Sequence, residues 1–339
     1  MPADDDAPNT AGWDALDAAC DALYPETKPQ HWGTLLRWSL GGDDPLDGVS
    51  AYAADNPPHW HFVTYGMSEL YEKESKSKDY SGWGFEFTFR LARKANAKKV
   101  PLWAVAFLQN LGRYVCESGN PFGVNHHIDC NGPIAAESKS LLNAVAFVED
   151  PQLGTIDTPN GKVAFLQVVG LTADELAAMM EWNTAGFLKI MAETNPRLVT
   201  ELKRKSILKD DATYMRVSDA TAGEGSSLGG LHLDLLSWKP TTTRFTLTLR
   251  GGAIERIVRL LRGRLTFGHG FLLDGPEQSA EFLPGKKSSV TATKTKLKIR
   301  LGASDADDWL SCLQPEPGTY KIPSMPNLAI VVKRAKGAG

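Results

Sequence analysis

Four potential ligands fall within five residues at His126-His127-Ile128-Asp129-Cys130, and two imidazoles flank a tryptophan at His59-Trp60-His61. Such side chains can hold a metal ion and activate water, which would make His126, His127 and Asp129 the centre of a metal-dependent hydrolase. Adjacent side chains on a strand point to opposite faces, so His126 and His127 share one ion only in a loop geometry. Helical His-x-x-x-His spacing, which would supply a further ligand pair, is missing. Hydrogen-bonded structural histidines are the competing reading. The cysteines Cys20, Cys116, Cys130 and Cys312 are scattered without Cys-x-x-Cys spacing, which argues against a zinc knuckle and a disulfide framework and for free thiols.

Nucleophilic catalysis finds no better footing. No serine elbow stands in the strand-to-helix setting it needs, and the glycines at Gly223-Glu-Gly225 and Gly229-Gly230 lead to no phosphate-binding lysine. Glu149-Asp150 directly precedes Pro151 and fits a strand-end turn better than an acid-base pair. With no named nucleophile, base or cofactor, the residues point to recognition and not to an enzyme, and no metal or cofactor is expected.

The elements that must position these groups follow from periodicity. Trp83, Phe85, Phe87, Phe89 and Leu91 alternate with Gly84, Glu86, Thr88 and Arg90, the period of a strand burying one face. The polar alternates call for an outer side that is covered or faces a partner. Residues 59–65 read as the preceding strand, turned at Gly66. Thr10 is placed to cap a helix carrying Trp13, Leu16, Ala19, Cys20 and Leu23, and residues 35–40 are a strand candidate. Pro101 suits the first turn of a packing helix that closes near Ser118-Gly119. Strands are expected over 141–148 and 163–171. Thr172-Ala-Asp-Glu175 is a capping box opening a helix to about Glu193, with Leu176, Met179, Met180, Phe187 and Met191 on its buried side.

Residues 218–230 are glycine-rich and polar and read as a linker, so the expected organisation is an N-terminal domain over 1–217 and a C-terminal domain over 231–339. Beyond the linker, 245–249, 256–265, 267–273, 289–301 and 328–332 read as strands, with a short helix over 303–313. The cations of Lys294-Thr-Lys-Leu-Lys-Ile-Arg300 fit the solvated face of an edge strand. The fold class is therefore α+β: an N-terminal mixed sheet packed with helices, then a mostly β domain.

The chain has 339 residues, 42% hydrophobic and 23% charged, which is ordinary for a globular protein of about two domains. Its net charge of -3 gives no electrostatic reason to expect nucleic acid. The acidic start Met-Pro-Ala-Asp-Asp-Asp lacks the basic and apolar regions of a signal peptide, and no apolar run suits a membrane span, so cytoplasmic residence is expected.

Several segments together resemble the suppressor-of-fused family: the run from His59 to Tyr71, Ser81-Gly-Trp-Gly-Phe-Glu-Phe-Thr-Phe-Arg-Leu91, Leu111-Gly-Arg-Tyr-Val-Cys-Glu-Ser-Gly-Asn-Pro-Phe122, Val148-Glu-Asp-Pro-Gln152, the run from Thr158 to Leu171, and Glu181-Trp-Asn-Thr-Ala-Gly-Phe187. A collinear likeness continues through Leu261-Arg-Gly-Arg-Leu265. The resemblance implies two domains with a cleft between them, in which the animal protein grips a short peptide of its transcription-factor partner as an added strand. Carried over, the partner-binding positions are Tyr114, Phe122, His126, His127, Glu149, Arg256 and Ile257. Where the animal pattern has an acid before a histidine this chain has His126, and Arg256 and Arg259 replace apolar residues, which implies a more acidic ligand. Trp60 and Trp83 are further candidate aromatic anchors, with core packing the expected role of Trp83.

The chain also lacks the long acidic, serine-rich insertion of the animal protein, which resembles the bacterial branch of the family. That likeness implies an immunity protein that occludes a toxin domain. A regulator or scaffold holding an endogenous peptide, and the metal-dependent hydrolase, remain the alternatives.

Overall fold

The computed structural model describes residues 9–36, 38–136 and 138–334. The chain divides into two compact units, 1–176 with 188–209 and 177–187 with 210–339. In chain order the elements are α1 (Ala11–Leu23), β1 (Gln30–Gly33), β2 (Gly48–Asp55), β3 (Pro58–Tyr65), β4 (Tyr80–Ala92), α2 (Leu102–Ser118), β5 (His127–Asp129), β6 (Leu142–Glu149), β7 (Thr155–Thr158), β8 (Gly161–Thr172), α3 (Ala173–Glu181) and α4 (Thr184–Thr194). There follow α5 (Asp211–Glu224), β9 (Gly230–His232), β10 (Leu236–Pro240), β11 (Phe245–Arg250), α6 (Ile254–Leu265), β12 (Phe271–Asp274), β13 (Ser279–Gly285), β14 (Ser289–Ala292), β15 (Lys296–Gly302), α7 (Ala303–Cys312), β16 (Gly318–Ile322) and β17 (Met325–Lys333).

The first unit is a mixed sheet ordered β1-β2-β3-β4-β8-β6-β5, with β7 paired to β8. Phe62, Phe85, Phe87, Phe89 and Leu91 bury one face against Ala104, Leu108, Leu111 and Val115 of α2. Tyr52, Val63, Tyr65 and Phe165 bury the other against Leu16 and Cys20 of α1. Because both faces are covered, the polar alternates Glu86, Thr88 and Arg90 are fully buried. Helix α1 approaches so closely that the Gly12 and Trp13 amides both donate to the Leu70 carbonyl, at 3.0 and 3.2 Å. These are two of the donors that a helix N-terminus leaves without an intrahelical partner.

Several expectations are corrected here. Of the expected strand over 35–40, Leu35 and Leu36 lie outside any strand and Trp38–Leu40 is one 3-10 turn; the strand lies before them, as β1. The capping box forms by half: Glu175 accepts from the Thr172 amide at 2.9 Å, while the Thr172 hydroxyl turns to Asp174. The helix it opens does not reach Glu193 unbroken. Asn183 accepts from the Gly186 amide at 2.6 Å and starts α4 afresh, the competition between a short polar side chain and the helical ladder. Trp83 is 39% exposed because Gly82 and Gly84, both at positive φ, break the alternation at the start of β4.

The second unit holds a four-stranded sheet, β10-β11-β17-β16, and a five-stranded sheet, β14-β15-β13-β12-β9, around one hydrophobic core. Residues 218–224, expected in a linker, are the end of α5, whose start Asp210 caps by accepting from the Thr213 amide. Residues 256–265, expected as a strand, are α6. The buried set Ile254, Ile257, Leu260, Leu261 and Leu265 has helical spacing and leaves Arg256, Arg259 and Arg262 on the opposite side. Gly268 at φ 75° delays the next strand to Phe271. The expected strand 289–301 is two strands, β14 and β15, closed by the Thr293 amide on the Lys296 carbonyl at 2.9 Å. Nor is β15 an edge: it lies between β14 and β13, burying Leu297 and Ile299 while Lys296 and Lys298 approach Glu281 at 3.6 and 3.8 Å.

Candidate functional site

Four of the predicted positions come together at the end of the first sheet. Helix α2 stops where Gly119 takes a left-handed conformation and returns its amide to the Val115 carbonyl at 2.9 Å. The chain then crosses the sheet to β5, the terminal strand, which pairs with β6. Tyr114 on the last turns of α2 is 40% exposed and stacks on Phe122 at 5.2 Å. Phe122 stacks on the buried Phe147 of β6 at 4.2 Å, so an aromatic column runs from the core to the surface beside the edge strand. A groove of about 400 Å³ continues it, lined by Trp103, Phe107, Leu111, Tyr114, Ile128 and Ile134 among others.

Register sets which β5 groups face outward. The His126 carbonyl accepts from the Phe147 amide at 3.0 Å and the Cys130 amide donates to the Asn143 carbonyl at 2.9 Å. Even positions therefore bond to β6, and the backbone of 127 and 129 is directed to the outer edge. The exposed His126 accepts from the Gly123 amide through Nδ1 at 3.2 Å, which folds its ring onto its own loop. His127 is half-buried, and burial, helped by the neighbouring His126, lowers its pKa from the ordinary value. Asp129 accepts from the Asn131 amide at 2.8 Å. Among the described residues no group of three or more His, Cys, Asp or Glu converges as a metal site, so His126, His127 and Asp129 do not assemble the hydrolase centre.

Of the remaining predicted positions, Glu149 belongs to the first unit and Arg256 and Ile257 to the second. Glu149 ends β6 and accepts from the Thr155 hydroxyl at 3.0 Å. Ile257 is wholly buried in the core of the second unit, where no partner can reach it. Glu181 answers both nearby arginines, Arg256 at 3.2 Å and Arg259 at 2.6 Å, so the inferred preference for an acidic ligand loses its basis there. Trp60 is buried as well, beneath Arg93 at 5.3 Å from its ring centre.

The residues that sequence reasoning missed are the partners of the inner histidines. Asp150, in the expected strand-end turn, accepts from the Gln152 and Leu153 amides, each at 2.9 Å. The same carboxylate accepts from the buried Arg90 through both terminal guanidinium nitrogens, from the Thr88 hydroxyl at 2.8 Å and from His61 Nε2 at 3.1 Å. Burial works to raise the Asp150 pKa, but the bonds from His61 and Arg90 and the Arg90 charge hold it well below the usual carboxylate range. Burial and then Arg90 lower His61 to about 4, so it is neutral, donating through Nε2 and accepting from the Tyr24 hydroxyl through Nδ1. The only sequence signal was Arg90 on the covered side of an aromatic strand.

The family model described as Suppressor of fused protein (SUFU) matches residues 42–205. A solved chain from a Sufu–Fu complex is 32% identical, with a TM-score of 0.58, and the match covers 62% of this chain and 98% of that one. The chain belongs to the suppressor of fused family. The curated Suppressor of fused homolog of Homo sapiens is 33% identical over 238 residues, 65% of this chain and 49% of that protein, and the Mus musculus homolog matches equally. The chain thus spans about half the length of the curated relatives it matches. The crystal structure of Drosophila Suppressor of Fused aligns over 97% of this chain and 98% of that one with a TM-score of 0.75 at 22% identity, which places the fold. Among the described residues no helix is long and apolar enough to cross a membrane.

Proposed function

We propose that this chain is a non-catalytic, cytoplasmic binding protein that captures an extended segment of a partner polypeptide along β5. The observation that carries the reading is the terminal strand set beside the Tyr114–Phe122–Phe147 column. Main-chain bonds to an edge strand supply affinity, and alternate side chains entering a neighbouring groove supply selectivity. The half-exposed Tyr114 is the anchor, since aromatic side chains next to a desolvated pocket dominate interface energies. The family relationship supports protein binding, as the Sufu–Fu complex does for that relative.

Within this reading we place the chain in the bacterial branch, as an immunity protein that occludes a toxin domain. Its support is the sequence resemblance: no long acidic, serine-rich insertion of the animal type stands in the second half of the chain. Tight occlusion calls for an interface of about 1,600 Å². Affinity capture from native lysate tests the binding mode with wild type, Tyr114→Ala and Asp129→Pro, the last removing an outward amide without touching the β6 ladder. Loss of the same polypeptide by both variants is the expected result, and undiminished recovery by both refutes the edge assignment. Co-expression with a toxin encoded beside the gene tests the finer role: rescue of growth supports immunity, and failure to rescue favours an endogenous peptide.

A further inference from the structure

A second cavity in the first unit, about 450 Å³, shares no lining residue with the Tyr114 groove. Trp38 and Trp83 form part of its wall, 37% and 39% exposed. Asp47, Glu69, Glu72 and Glu74 line it too, and no lysine or arginine stands among its described lining residues. The position of Trp83 is built into the backbone. Its amide donates to the Met67 carbonyl at 2.9 Å, and a Cβ at Gly82 would come within 2.7 Å of that same oxygen. Two glycines at positive φ thus turn this one aromatic out of a strand that buries Phe85, Phe87 and Phe89.

The charge around the indoles is fixed as firmly. Glu69 accepts from the Glu74 amide at 2.7 Å, from the Gly82 amide at 3.0 Å and from the Ser75 amide, with Lys73 at 2.8 Å. Glu72 and Glu74 are exposed and their carboxylates have no partner among the described residues. Leu35, Leu36 and Leu40 lie exposed on the loop that carries Trp38. The unit as a whole holds 26 acidic against 19 basic side chains. Indole faces beside uncompensated carboxylates attract cations, and a guanidinium, planar and weakly hydrated, stacks on an aromatic face while bonding carboxylate in its plane.

We propose that this cavity docks a basic segment of a protein partner, with an arginine side chain on the tryptophans and its charge answered by Glu72 and Glu74. It is independent of the β5 edge. The probe is a fluorescein-labelled hexa-arginine peptide, followed by anisotropy with the full chain at low salt. Binding is expected to weaken about tenfold in Trp38→Ala and in Glu72→Gln/Glu74→Gln, and to stay within twofold in Tyr114→Ala and in the distant pair Asp21→Asn/Glu26→Gln. Hexa-lysine should bind severalfold more weakly than hexa-arginine. The proposal is overturned by no binding to wild type, by an unchanged Trp38→Ala, by equal binding of the two peptides, or by equal losses in the distant pair, which mark non-specific charge attraction.

Discussion

Replacing Asp150 by Asn keeps the shape of the side chain and removes its charge from the most heavily bonded group in the first unit. Six donors converge on this carboxylate: Arg90 Nη1 and Nη2, the Thr88 hydroxyl, His61 Nε2 and the amides of Gln152 and Leu153. An asparagine oxygen can keep Arg90 Nη2 and the two amides. Its NH2 group then faces Arg90 Nη1, Thr88 and His61. Thr88 can rotate to accept, and His61 can change tautomer by reversing its bond with the Tyr24 hydroxyl. Arg90 Nη1 has no such choice and is left with Gln167 alone.

Since Arg90 is wholly buried, its charge stays uncompensated, which costs about 3–5 kcal/mol. At a urea m-value of about 3 kcal/mol/M the midpoint should fall by about 1–1.7 M at pH 7, read by tryptophan fluorescence and circular dichroism. The folded Asp150 pKa is depressed, so its contribution is present above the unfolded value near 4 and is lost as pH falls through the folded one. The gap between wild type and variant must therefore narrow below about pH 4. In Arg90→Met/Asp150→Asn the orphaned charge is gone, and the cost should be at least about 2 kcal/mol below the sum of the single changes. A midpoint shift under about 0.3 M, or additive single changes, would refute the argument.

Burial lowers His59 and His61 to about 4, so between pH 6.5 and 4 the unfolded chain takes up protons that the folded one refuses. Stability should fall over that window by roughly 3 kcal/mol per histidine at most, which urea titrations at stepped pH will read. Glu86 acts with the opposite sign: burial raises it to about 7, so the folded state holds a proton that the unfolded one releases above pH 4.5. Glu86→Gln should retain the Ser68 and Gly66 bonds, change stability by less than about 1 kcal/mol at pH 7 and steepen the acid slope; a flatter slope contradicts the assignment. Gly12→Ala would drive a methyl into the Glu69 carbonyl and the Leu70 backbone, so a loss of about 2–3 kcal/mol is expected by thermal unfolding, with the Trp13–Tyr65 stack disturbed in fluorescence.

Local order was readable where one face of an element decides its pattern. The β3–β4 pair follows from period-two aromatics, α1 from its helical apolar spacing and the end of α2 from Gly119, each over nearly its full observed length. Reading failed where a single residue redirects the chain. Asn183 divides a helix, Gly82 and Gly84 turn Trp83 outward, and the apolar residues of α6 carry a helical period that a strand reading overlooks. Of the positions that the resemblance singled out, Tyr114, Phe122, His126 and His127 are gathered by the structure at one edge. The strand reading of 256–265 misjudged which side chains are offered: α6 sets Arg256 beside Glu181 and buries Ile257 in the core.

By itself the amino-acid order determined the family and the α+β class. Those depend on residue type and near-neighbour spacing, which one dimension preserves. Only the tertiary structure decided that Asp150 gathers Arg90 and His61 from 60 and 89 residues away, that β5 is a terminal strand, and that Trp38 and Trp83 share a cavity with four acids. Burial and charge pairing depend on which distant strands become neighbours, and strand order is a property of the packed sheet that no local period encodes.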